Sequence, residues 1–278
     1  MTMENEKLFP SVGEAFVILI FTFLLPIVFV FVLQIFGVEP QSKMNLLLAE
    51  LLTIVPAVIF LYIRKYSLPE VMRLQPVSWR ILSVSALIGI SLAFIGDEIE
   101  RIMHAVIPLP EEIESIFSPE MMKAMLTANN SLEWVLLILS TVVFAGLFEE
   151  MLFRGLLQNA FEERMDVTRA VLATAIVFSF IHFNPFWVVP IAILGVFLGV
   201  LAWKSNSILP SAIVHGVNNG IALIVTNMPE GATKSLEWNG HVHPVLLLAS
   251  VGGLYLGMKL FYQFIEEETE IPTLLNQP

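Results

Sequence analysis

"FAGLFEEMLFRGLL", Phe144 to Leu157, decides how the chain is read, because it sets two glutamates and an arginine inside an otherwise apolar segment. An ionisable group in hydrocarbon costs between about 3 and more than 10 kcal/mol, so such groups usually face an interior cavity and have partners. Glu150 and Arg154 are four residues apart and therefore neighbours on one helix face, whereas Glu149 lies about 100° around the helix from Glu150. The pattern EExxxR thus pairs one glutamate and leaves the other free. Alone, it also fits a helix-end ion pair that snorkels to the membrane surface.

The surrounding chain is of the same apolar character. Hydrophobic residues make up 56% of it and charged residues 14%, and the apolar residues come in long blocks rather than the short periodic stripes of a soluble domain. Eight blocks of about 20 residues, the length of one helical crossing, centre near Phe23, Ile54, Ile88, Leu139, Ile176, Leu194, Ala212 and Ala249. They are apolar on every face, which favours helices over the alternating strands of a barrel. The expected fold is all-α: a polytopic integral membrane protein with a bundle of about eight transmembrane helices, residues 1–278 forming one membrane-embedded domain. The first block follows the acidic leader "MTMENEKLFPSVGE" and lacks a small-residue cleavage site, so it is expected to stay attached.

Charge and composition exclude several function classes. A net charge of −11 argues against nucleic acid as a partner. With no cysteine, disulfides, thiolate nucleophiles and Cys-based metal sites are absent from this sequence. Lys and Arg divide ten against four between the two sides of the eight crossings, with Lys7, Arg64, Lys65, Arg73, Arg80, Arg154, Arg164, Arg169, Lys204 and Lys259 on the richer side. Cytoplasmic loops hold the excess, so both termini are expected to be cytoplasmic. The acidic stretch from Asp97 to Ser131 is expected outside, as a short surface helix that acts as a solvated cap, with substrate binding as the other reading. "RGLLQNAFEERMDVTRA", after the fourth block, reads as an amphipathic helix at the cytoplasmic interface.

Two further clusters carry polar groups into apolar blocks. In "FSFIH" the Phe178 ring is placed four residues before His182 and can wall one side of the imidazole, and Asn184 and Pro185 then break the helix. In "HGVNN" His215 and Asn219 lie four apart on one face, on a helix that Pro210 opens. Each has a bland alternative, a satisfied hydrogen-bonding histidine or an interhelical polar contact. Three such coincidences in one chain favour a joint functional reading.

A carboxylate with a histidine can activate water, and a second histidine with an asparagine can donate to a developing oxyanion. The set therefore suits hydrolysis of an acyl bond. The same side chains, Glu149, His182 and His215, could instead hold a divalent metal such as zinc with an open position for water, although no HExxH helix is present. The cofactor is left open between none and such a metal.

In order and spacing, EExxxR at Glu149 to Arg154, FxxxH at Phe178 to His182 and HxxxN at His215 to Asn219 resemble the three motifs of the CAAX protease and bacteriocin-processing family, also called CPBP or Abi. The resemblance covers a motif-bearing core of about residues 132–225. It implies an intramembrane endopeptidase, metallo- or glutamate-type, whose site opens toward the cytoplasm and whose substrates are membrane-associated or prenylated CAAX-type proteins or peptides. By position it implies Glu149 as general base with His182 as its partner in activating water, and His215 and Asn219 as oxyanion donors. Glu150, Arg154 and Phe178 are then supporting residues. Plasma-membrane localisation is expected if the source is prokaryotic. A proton-coupled membrane transporter, or a non-catalytic membrane scaffold or immunity protein, are the rival readings.

Overall fold

Several of the long helices begin where the sequence supplies a start signal. Ser11 forms a reciprocal capping box with Glu14, its hydroxyl accepting from the Glu14 amide at 3.3 Å while the Glu14 carboxylate accepts from the Ser11 amide at 2.8 Å. Asn130 caps the helix that carries EExxxR, Asp166 caps the next, and proline stands in the first turn of the helix that carries His215. The computed structural model describes residues 9–37, 42–109, 119–229 and 231–275.

Among these, seven helices are long and apolar enough to cross a membrane: Val12–Ile35, Lys43–Arg64, Trp79–Val106, Ser131–Glu162, Val188–Ser205, Leu209–Thr226 and Pro244–Thr269. The fifth of the eight apolar blocks forms a shorter helix, Val167–Phe180. Its 14 residues rise about 21 Å, against roughly 30 Å of bilayer hydrocarbon. The chain is thus an all-α polytopic membrane protein in which one helix is too short to span alone. The outward faces are apolar, with Ile20, Phe21, Ile27 and Phe31 exposed along the first helix. That is the surface a lipid environment requires.

The helix of the opening stretch departs from the sequence expectation in two ways. It continues unbroken to Glu162, and every residue from Met151 to Phe161 is buried. The expected interfacial helix is therefore, over residues 154–162, the inner end of a core helix. Its polar residues serve packing: Gln158 donates to the Gly199 carbonyl at 3.1 Å and Asn159 to that of Val71 at 3.0 Å. The helix is also not regular. Ile138–Phe144 and Met151–Leu157 are π-helical, flanking the α-helical turn Ala145–Glu150. Each π segment widens a turn and shifts the rotation of the side chains around it, a distortion found often at functional sites.

The acidic stretch is a clasp over its first part rather than a solvated cap. Asp97 to His104 belongs to the helix Trp79–Val106, and Glu98 and Arg101 bind the hairpin of Glu237–Trp238 and His241–Val242. A helix over Pro119–Leu126 is present as expected, and residues 110–118 lie outside the described ones.

Candidate active site

The site forms where the EExxxR helix crosses Leu209–Thr226, and small residues make the crossing close. A Cβ on Gly146 would stand 3.1 Å from the Gly216 nitrogen, and one on Gly216 would stand 2.9 Å from the Val142 carbonyl oxygen. Such contact between backbones is open only to glycine. It brings Glu150, one turn past Gly146, beside His215, the neighbour of Gly216. Glu150 Oε1 lies 3.0 Å from His215 Nδ1 and also accepts from Arg154 Nη1 at 2.8 Å.

Glu150 and Arg154 are fully buried, so the pair is no surface snorkel. Desolvating two charges is costly, and here the cost is met by several contacts at once. The Arg154 guanidinium bonds Glu150, reaches the Gly195 carbonyl at 3.3 Å and stacks 4.2 Å above the centre of the Phe178 ring. A single side chain thus ties together the helices Ser131–Glu162, Val167–Phe180 and Val188–Ser205.

Phe178, 1% exposed, is the shared wall. Its ring stands edge-on to His182 at 5.0 Å and to His215 at 5.7 Å. The two imidazoles, one within a helix and one in the turn that follows another, and at different depths by residue count, therefore meet at one ring. His182 turns Nδ1 to the Phe178 carbonyl at 2.8 Å. A carbonyl can only accept, so Nδ1 carries the hydrogen, and in the neutral ring Nε2 is left with its lone pair free.

Glu149 is half-buried, and among the described residues its Oε2 is buried without a hydrogen-bond partner. It interacts electrostatically with His182, His215 and Arg154. Asn219 spends one amide hydrogen on the Thr141 carbonyl at 2.9 Å. Thr141 lies in the first π segment, where the Ala145 amide reaches back to Ser140 instead. The local distortion thus leaves an acceptor to orient the asparagine.

A third carboxylate belongs to this region. Glu50, half-buried, interacts electrostatically with Glu149 and is 3.5 Å from the Thr53 hydroxyl. The signal for it was in the sequence, since "LLLAELLT" holds one acid in an apolar block just as the opening stretch does. Among the described residues no three His, Asp or Glu side chains converge so as to hold a metal ion, so Glu149, His182 and His215 do not meet as a ready ligand shell. A cleft of about 220 Å³, lined by Phe9, Glu70, Arg73, Gln75, Asn159 and Asn206, lies away from these residues. It sits toward the end of the bundle where the Arg73 guanidinium pairs with Glu162.

Fold and site together define a polytopic helical membrane protein with a buried cluster of carboxylates and imidazoles. Residues 131–221 match the family described as type II CAAX prenyl endopeptidase Rce1-like, a span that contains all three motifs. The match supports assignment of the chain to the CAAX protease and bacteriocin-processing family, and a CAAX-type intramembrane protease in general. Neither the curated proteins nor the solved structures contain a match.

Proposed function

We propose that the chain hydrolyses peptide bonds of membrane-associated or prenylated CAAX-type substrates, using Glu149 and His182 to activate water and His215 and Asn219 to receive the oxyanion. The observation that carries this reading is the division of labour between the two adjacent glutamates. Oε2 of each glutamate is buried without a hydrogen-bond partner, but Glu150 Oε1 is committed to Arg154 and His215, whereas among the described residues no arginine or histidine hydrogen-bonds Glu149. A general base needs a free lone pair next to its water, and Glu149 has one.

In this mechanism Glu149 takes a proton from water held between it and His182 Nε2. The hydroxide adds to the scissile carbonyl carbon, and the carbonyl oxygen becomes an oxyanion. Asn219 donates its second amide hydrogen to that oxygen. His215 donates from Nε2, which with Nδ1–H facing Glu150 requires the imidazolium, and Glu150 supplies the matching anion. Glu149 then returns its proton to the leaving nitrogen as the C–N bond breaks.

We take residues 1–278 as one membrane-embedded unit with a catalytic core over 132–225, and both termini as cytoplasmic. The polar contacts support the division of the loops between two ends, and the cation excess of one end supports its being cytoplasmic. Arg73 pairs with Glu162, both from the cation-rich side, whereas Lys43 binds the carbonyls of Ala124 and Met125, and Arg101 binds Glu237, all from the other.

The purified chain in lipid vesicles, given a prenylated CAAX-type peptide and an unprenylated transmembrane peptide, tests the reading. Cleavage of either by the natural chain and by none of the Glu149→Gln protein is expected, and the preferred peptide identifies the substrate class. Proton-driven uptake lost in Glu149→Gln, with neither peptide cut, would favour the transporter reading instead.

A further inference from the structure

His182 does not sit within a helix. The short helix Val167–Phe180 ends before it, and the turn Ile181 to Trp187 carries it. Inside that turn Asn184 accepts from the Phe186 amide at 3.0 Å, and Phe183, 83% exposed, adopts a left-handed φ of 51°. A phenylalanine in that region is strained, so neighbouring contacts must hold the backbone there.

Those contacts come from the far end of Trp79–Val106. Glu100 Oε1 accepts from Trp187 Nε1–H at 2.8 Å. One turn later the His104 ring stacks on Phe186 with centroids 3.7 Å apart and planes 19° apart. Phe186 is 1% exposed, so the stack is a packed contact rather than a surface coincidence. Glu98 and Arg101, on the other face of the same helix end, bind the hairpin at Glu237 to Val242 and fix the helix end itself.

We propose that Glu100 and His104 are positioning residues for His182: they grip Trp187 and Phe186 and so set the turn that aims the catalytic imidazole. Neither touches the reacting atoms. The positioning claim stands on the contacts above, and its consequence for turnover rests on the proteolytic reading.

The absence of cysteine makes a clean test available. A spin label attached at Phe183→Cys reports the mobility of the turn, and peptide cleavage by unlabelled chains reports the chemistry. Glu100→Ala and His104→Ala should each loosen the label and lower kcat by roughly tenfold to a hundredfold, with KM little changed, since small misplacements of a catalytic group have effects of that size. Glu100→Gln keeps the acceptor and His104→Phe keeps the stack, so both should restore the label spectrum and the rate. If both alanine variants keep the natural spectrum, or if the two conservative variants are as loose as alanine, the clamp is refuted. Should the natural chain cut no peptide while the label still loosens as expected, the clamp stands and the proteolytic reading is what fails.

Discussion

His182 and His215 share the Phe178 ring as a wall, yet the chain holds them by different means. His215 lies within a helix, pressed against the EExxxR helix by the contact of Gly146 with Gly216 and fixed by a buried carboxylate. His182 lies in a turn at the end of a helix too short to span, and the far side of that turn, at Trp187 and Phe186, is held by Glu100 and His104 on another helix. The first is positioned by packing of backbones and the second by side chains reaching over it. A site of this kind combines a rigid half with an adjustable one, and the two halves should fail differently when perturbed.

The largest expected effect falls on the rigid half. Arg154→Met leaves the buried Glu150 without its guanidinium, and losing one partner of a buried pair costs on the order of 3–5 kcal/mol. Thermal unfolding in detergent should show it, and a loss below about 1 kcal/mol would contradict the role assigned to the pair. Next, Gly216→Ala places a methyl 2.9 Å from the Val142 carbonyl and parts the two helices. Cleavage should fall by about a hundredfold while a label at residue 183 reports an unchanged turn. Loosening of that turn would show that the halves are not independent.

Phe178→Leu removes the wall common to both histidines while keeping an apolar side chain. It should cost about 1–3 kcal/mol in stability, since Arg154 loses the ring it stacks on, and about tenfold in rate, because both imidazoles lose their edge contact. Smallest of all is Phe183→Ala. That side chain is almost wholly exposed, so unfolding should move by no more than about 0.5 kcal/mol.

Part of this was legible in the sequence. Eight apolar blocks became eight helices, and the spacing of four in EExxxR, FxxxH and HxxxN predicted the Glu150–Arg154 pair, the Phe178 wall and the shared helix of His215 and Asn219. What spacing could not carry is contact between helices. That Glu150 meets His215 depends on the close crossing at Gly146 and Gly216, and glycines in a sequence do not say which helices they bring together. The sequence suggests an interfacial helix there because Gln158 and Asn159 look solvent-facing, whereas each meets a backbone carbonyl inside the bundle. Glu50 is marked by the same rule that singles out Glu149, an acid within an apolar block.

The most direct test of a protease whose free base is Glu149 compares protein termini in membranes from cells that make the natural chain and cells that make Glu149→Ala at matched, folded levels. A set of new termini present only with the natural chain is the predicted result, and the cut sites would name the substrate class. Identical lists of termini from two folded proteins would contradict catalysis by Glu149.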